Sequence, residues 1–227
     1  MKKLALVLFS LVAVTSISYA KEMITEPTMS KEMMNEPAMV EEIVPIVMVP
    51  DMPLGYINLK FGWDFWSEYD RHSGNGYRLE KDADESGYEI AIEAMRHWKY
   101  FDIGLGMAYQ DHAKRDRDGG EYKSFPIYAT AKYDLNYWNM PFVPYLKANA
   151  GYSFNFDEDD VKGFNSSIDD GAYWAAGIGL EYDNFTADIL YGINYAEMDV
   201  TDSNGKEKFN NDYQRVTFSL GYKFNIW

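Results

Sequence analysis

The chain has 227 residues and no cysteine, with 36 acidic against 21 basic residues and an aromatic share of 17%. That length allows one domain of roughly 150 to 200 residues plus an appendage, and the lack of cysteine excludes disulfides, zinc-thiolate sites and thiol nucleophiles. A formal charge of −15 argues against binding nucleic-acid phosphates, and 47% apolar residues argue against a wholly disordered chain.

In chain order, residues 1–20 read as a bacterial secretory signal peptide: Lys2 and Lys3, an apolar run from Leu4 to Val14, and the small-x-small site Ser18-Tyr19-Ala20. Residues 21–53 form a second region, rich in proline, methionine and glutamate. Lys21-Glu22-Met23, Glu26-Pro27 and Met29 return ten residues later as Lys31-Glu32-Met33, Glu36-Pro37 and Met39. Val44 to Pro53 has proline too often for a helix or a central strand, so the region is expected to be a disordered, extended arm.

From residue 54 to 227 the periodicity is two. Ile57, Leu59, Phe61, Trp63 and Phe65 alternate with Asn58, Lys60, Gly62 and Asp64, and seven further segments repeat the pattern. They begin at Tyr88, Phe101, Phe125, Leu146, Ala172, Phe185 and Val216. Each segment is close to the roughly 9 to 11 residues that a tilted transmembrane strand needs. The connections alternate in length, with long ones at 67–87, 111–121, 155–170 and 197–212 and short ones between them. Long loops at one end and short turns at the other are the pattern of an outer-membrane barrel. The expected fold is therefore all-β, an eight-stranded antiparallel transmembrane β-barrel with both termini on the short-turn side.

The stretch Pro141-Phe142-Val143-Pro144-Tyr145-Leu146-Lys147-Ala148-Asn149-Ala150-Gly151-Tyr152, the stretch Gly177-Ile178-Gly179-Leu180-Glu181-Tyr182 and the aromatic C-terminal strand resemble the small eight-stranded outer-membrane barrels. That family includes the OmpA membrane domain and OmpX- and OmpW-like proteins. The resemblance implies a bacterial outer-membrane location, with long loops outside and the N-terminal arm in the periplasm. One feature departs from the family pattern: Trp227 is out of phase with Ile226, Phe224, Tyr222 and Leu220, as a bulge or a one-residue overhang makes it.

The alternation sends Lys60, Lys132, Lys147, Arg215 and Lys223 inward with Asp64, Glu89, Glu93, Asp102, Glu181 and Asp188. A barrel of eight strands has room inside only for side chains, so these groups are expected to pair as a structural network. The glycines of Gly104-x-Gly106 and Gly177-x-Gly179 read as small inward positions rather than a nucleotide loop, and Gly106→Ser is expected to be tolerated much better than the outward change Leu105→Arg. Outward Trp63, Phe65, Trp66, Tyr88, Tyr109, Phe154 and Tyr195 form a girdle at the loop end. Trp98, Tyr100, Tyr133, Tyr137, Trp138, Tyr182, Phe185 and Trp227 form another at the turn end.

Candidates for catalysis are weak. His72-Ser73 with Asp70, and Asp111-His112, are sequence neighbours, and neighbours alone do not make a triad. His72 and His112 read as solvated loop residues, and His97 as a turn residue. The loop run Asp157-Glu158-Asp159-Asp160 reads as a solvated acidic tip without rigid metal-ligand spacing. No cofactor and no enzymatic activity are expected. The functional reading is a structural or surface-interaction (adhesion-type) membrane protein. Its expected partners are outer-membrane lipids and lipopolysaccharide, with an extracellular or periplasmic protein as a further candidate. The alternatives are a narrow small-solute channel, a lipid-modifying barrel enzyme and a soluble lipocalin-like binder.

Overall fold

The computed structural model describes residues 54–226, apart from 75–76, 84–85, 99–100, 116–118, 136–140, 162–164 and 203–204. The signal peptide, the repeat arm, Tyr100, Tyr137, Trp138 and Trp227 lie outside the described residues.

Among the described residues thirteen strands follow one another: β1 Gly55–Tyr69, β2 His72–Gly74, β3 Tyr77–Leu79, β4 Tyr88–His97, β5 Phe101–Asp111, β6 Lys123–Asp134 and β7 Val143–Phe156. After them come β8 Asn165–Ile168, β9 Gly171–Tyr182, β10 Phe185–Asn194, β11 Glu197–Asp202, β12 Gly205–Asn210 and β13 Tyr213–Ile226. Eight of them close into an antiparallel barrel in the order β1-β13-β10-β9-β7-β6-β5-β4. Closure joins the first and last strands, with Gly55 opposite Ile226 and Trp63 opposite Phe218. Closure leaves the wall without a free sheet edge at mid-height, as a bilayer interior demands.

Period-two sequences give two faces, and here the apolar one points out. Leu59, Phe61, Trp63, Ile90, Ile92, Leu105, Leu146, Ile178, Leu180, Leu220 and Phe224 are exposed, whereas Asn58, Lys60, Asp64, Glu89, Glu93, Asp102, Asp188 and Arg215 are buried. Such sidedness is the reverse of a soluble lipocalin-like barrel, which keeps its apolar face inward. The shortest wall strands, β4 and β10, have 10 residues each. At roughly 3.3 Å per residue and a tilt near 40° they rise about 25 Å, the height of an outer-membrane apolar band.

β1, with 15 residues, runs on past its pairing with β4, which ends at Trp63 opposite Tyr88. On its other side β1 stays paired with β13 up to Tyr69 opposite Tyr213. A bulge between Asp64 and Trp66 omits Phe65 from that ladder, and both Phe65 and Trp66 are exposed, adding rings to the girdle at that end. At the opposite end β9 turns into β10 through Asp183 and Asn184 alone. Asp183 takes a φ of 53°, a left-handed conformation that Asp and Asn accept more readily than most residues, and the backbone carbonyl of Asn184 accepts from the amide of Lys223 at 2.7 Å.

The long connections are not the simple solvated loops that their acidity suggests. β8, β11 and β12 make a three-stranded sheet and β2 with β3 a hairpin, all at the long-loop end. Leu79, Val161, Met198, Val200 and Phe209 form a buried cluster drawn from the first, third and fourth connections, with Ile168 packed against it. The cause is a second period-two pattern: Met198 and Val200 turn inward while Glu197, Asp199 and Thr201 turn outward. Burying a side chain of this size contributes about 1.5 to 3 kcal/mol, enough in sum to fold the connections into a cap.

Candidate functional site

The inward faces of the eight wall strands stack charged side chains in three levels. At the turn end, Glu181 accepts from Lys132 at 2.7 Å and from Lys223. Lys132 also lies 3.2 Å from Asp102 and 3.2 Å from Asp134. Asp102 accepts from the Tyr56 hydroxyl at 2.7 Å and meets Nδ1 of His97 at 2.6 Å. Thus His97, at the end of β4, shares the carboxylate of Asp102 rather than standing in solvent alone.

At mid-height Lys147 donates to both carboxylate oxygens of Glu93, at 2.8 and 2.6 Å, and Lys60 donates to Asp188. The Tyr128 hydroxyl reaches Glu93 at 3.1 Å, and that of Tyr145 reaches Asp188. Two cations and two anions thus balance at this level. Nearest the loops, Arg215 donates to Glu89 at 2.6 Å and lies 3.6 Å from Asp64. Asp64 accepts from Tyr213 at 3.0 Å, Gln110 donates to Glu89 at 2.7 Å, and Asn194 donates to Gln110 at 2.9 Å. The residues that sequence reasoning overlooked at this site are the tyrosines and amides. Tyr56, Tyr145, Gln110 and Asn194 carry no charge, so a search for charged groups passes over them.

Packed side chains lie between the middle level and the one nearest the loops. Ala91, Ala108, Tyr128, Tyr173, Ala175 and Leu190 form a buried cluster, and Ala91 and Ala108 sit opposite each other one inward step from Glu89 and one from Glu93. Glycine makes room for the large rings: a Cβ on Gly106 would lie 2.5 Å from the Tyr128 ring, and one on Gly179 would lie 2.3 Å from the Tyr145 ring. These two positions are therefore seats for tyrosines, and the expectation that Gly106→Ser is tolerated much better than Leu105→Arg is corrected, because any side chain at 106 meets the Tyr128 ring.

Above the third level, Tyr69, Ala113, Tyr122, Ala196 and Tyr213 form a further cluster at the mouth. The Tyr69 hydroxyl donates to the carbonyl of Ala113 at 2.8 Å, and the amide of Ala113 donates to the Tyr213 hydroxyl at 3.2 Å. Arg115 lies 4.2 Å over the Tyr69 ring and donates to Asn211, whose own amide reaches the carbonyl of Gly120 at 2.9 Å. His112, expected in solvent, is buried here between the rings of Tyr122 and Tyr213. His72 stacks on Phe209 at 3.9 Å and meets Glu207 at 3.1 Å. In the third connection, Asp157 is paired with Lys123 at 2.5 Å and Asp160 accepts from the amide of Ser166 at 3.2 Å. Asp157 and Asp160 therefore help to fold the connection while remaining exposed, as does Asp159.

No family model matches the chain. Over 163 residues it is 30% identical to the uncharacterized protein PM1543 of Pasteurella multocida, a match that takes in 54% of this chain and 68% of that protein. Among solved structures it is similar to the outer membrane protein OprG from Pseudomonas aeruginosa, with a TM-score of 0.53 and 17% identity over 77% of this chain and 97% of that one. Neisserial surface protein A gives a TM-score of 0.46 at 16% identity, over 75% of this chain and 97% of that one. The fold is that of the small eight-stranded outer-membrane barrels.

Proposed function

For a chain that belongs to the family of the Pasteurella multocida protein PM1543, we propose a bacterial outer-membrane protein with a structural or adhesion-type role. In this reading it holds a folded cap above the membrane. The long connections face the outside and the N-terminal arm lies in the periplasm, because the strand count puts both ends of the barrel on the short-turn side. The apolar outer wall, with aromatic rings at both rims, supports the location.

The observation that carries the role is a filled interior. A solute on the axis would have to part the Lys60–Asp188 and Lys147–Glu93 pairs, then the Tyr128, Tyr173 and Leu190 packing, then the Tyr69, Tyr122 and Tyr213 cluster. Parting any of these pairs leaves buried charges without their partners, which is strongly unfavourable. A narrow small-solute channel is the competing reading, favoured by the abundance of charge inside. Planar-bilayer recording of the reconstituted full chain decides between them: the filled barrel gives no unitary conductance steps, and reproducible steps overturn the reading.

The cap gives the proposed contact surface. Asp157, Asp159, Asp160, Asp169 and Glu197 are exposed on it. An acidic surface beside lipopolysaccharide phosphates needs cations such as Ca²⁺ or Mg²⁺ between them, since hard ions take oxygen ligands and like charges repel. Proteolysis of the connections in lipopolysaccharide-containing membranes, with and without millimolar Ca²⁺, tests that contact. Equal cleavage in both conditions removes lipopolysaccharide from the list of partners.

A further inference from the structure

At the mouth of the barrel lies a histidine that the three charged levels do not use. His112 opens the second long connection, and its ring lies on that of Tyr213 at 4.0 Å with an interplanar angle of 14°. Tyr122 meets it edge-on at 4.6 Å. The residue is 5% exposed, and among the described residues neither ring nitrogen has a hydrogen-bond partner. A neutral imidazole tolerates such a box better than an imidazolium, which must donate from both nitrogens.

The groups around the box do not favour the cation. From β13, Arg215 acts on the imidazole, and burial first and then that guanidinium hold His112 well below the usual histidine range. Of the other charged groups, Arg115 and Glu121 act on Tyr69 of β1, Asp212 and Arg115 act on Tyr122, and Asp64 of β1 accepts from Tyr213. Asp64 is already engaged by Tyr213 at 3.0 Å and by Thr217 at 2.5 Å. Burial raises the carboxyls of Glu121 and Asp212. Protonating those two acids therefore favours the packed state as pH falls, the opposite of the effect expected from His112.

We propose that His112 is an acid-sensitive latch: taking up a proton expels its ring from between Tyr122 and Tyr213 and releases residues 112–115 from the mouth. The next residue, Ala113, holds the bonds to Tyr69 and Tyr213, and Arg115 follows two residues later. Withdrawal of His112 undoes these contacts in turn. The Tyr128, Tyr173 and Leu190 layer below stays closed, so acid loosens the cap without opening a pore. The sign is fixed by linkage: the released ring binds a proton and the boxed ring does not, so the closed mouth keeps its stability above about pH 6.5 and loses it progressively below.

Hydrogen exchange of the full chain in lipid nanodiscs, corrected for intrinsic rates, tests the latch at pH 7.5 and pH 5. The peptide spanning 112–122 should lose protection by up to about 30-fold, the ratio set by one proton on a group of ordinary pKa near 6.5. The wall strand 143–156 should not change. His112→Phe keeps the stacked ring without its proton and should hold 112–122 equally protected at both pH values. The idea fails if wild type shows no loss, or if wild type and the Phe variant respond alike, which places the acid response elsewhere. Should the Phe variant misfold, imidazole NMR of the wild type decides instead. A His112 that titrates below pH 6.5, together with exchange of 112–122, supports the latch, and titration at the ordinary value with 112–122 still protected overturns it.

Discussion

Gly106→Ala is the sharpest test of the packing inside the barrel. The added methyl would stand 2.5 Å from Cε2 and 2.6 Å from Cζ of Tyr128, so the ring has to retreat by about 1 Å to regain an ordinary carbon contact near 3.5 Å. Its hydroxyl is 3.1 Å from Glu93, and a retreat of that size ends the hydrogen bond. Overpacking costs about 1 to 3 kcal/mol and a lost bond to a charged acceptor about 1.5 to 3 kcal/mol, so the variant should lose about 3 to 5 kcal/mol. Urea unfolding in lipid vesicles, followed by tryptophan fluorescence, gives the number. Tyr128→Ala supplies the second arm of a double-mutant cycle: with the ring gone, the methyl on residue 106 has nothing to strike and partly fills the space. The double variant should be more stable than the sum of the singles by at least about 1 kcal/mol. Additive costs, or a Gly106→Ala variant as stable as wild type, would refute the idea that glycine seats the ring.

Other perturbations read other parts of the molecule. Leu105→Arg puts a charge on the lipid face near mid-strand and should cost about 2 to 4 kcal/mol in the same vesicles; a neutral result would reverse the assignment of faces. Arg215→Met leaves Glu89 and Asp64 buried without their cation, and a loss of about 3 to 5 kcal/mol is expected in urea titration. Val200→Asp should break the cap core while sparing the wall. Loops should then be cut faster by protease while the boiled and unboiled forms keep their separate electrophoretic mobilities. Loss of both properties together would mean that cap and barrel unfold as one unit.

How much of this was legible in the sequence follows from the range of each interaction. Strand facing is local, because successive side chains in an extended chain alternate sides whatever lies beyond. Lys60, Asp64, Glu89 and Arg215 could therefore be assigned inward from their neighbours alone, and the alternation of long and short connections gave the barrel its ends. Partner choice is different. Lys147 lies opposite Gly177 on β9 and Lys132 on β6, yet its ammonium reaches across the lumen to Glu93 on β4. Strand stagger and barrel width decide that, and neither is written in any one segment. Gly106 reads as merely small until the Tyr128 ring from β6 is seen to lie over it.

The cap was the least legible part. Met198-x-Val200 carried a readable period-two signal, but acids and glycines around it pointed to solvent. Only the meeting of Leu79, Val161, Met198, Val200 and Phe209 from three connections makes a core there. His112 shows the same limit, since nothing within its own segment tells that Tyr213, 101 positions later in the chain, will cover its ring. Local pattern determined which face of each strand meets lipid, because that choice is made by steric alternation along the backbone. Tertiary structure alone decided which charges pair and which loop residues leave water, because those depend on distances set only when the barrel closes.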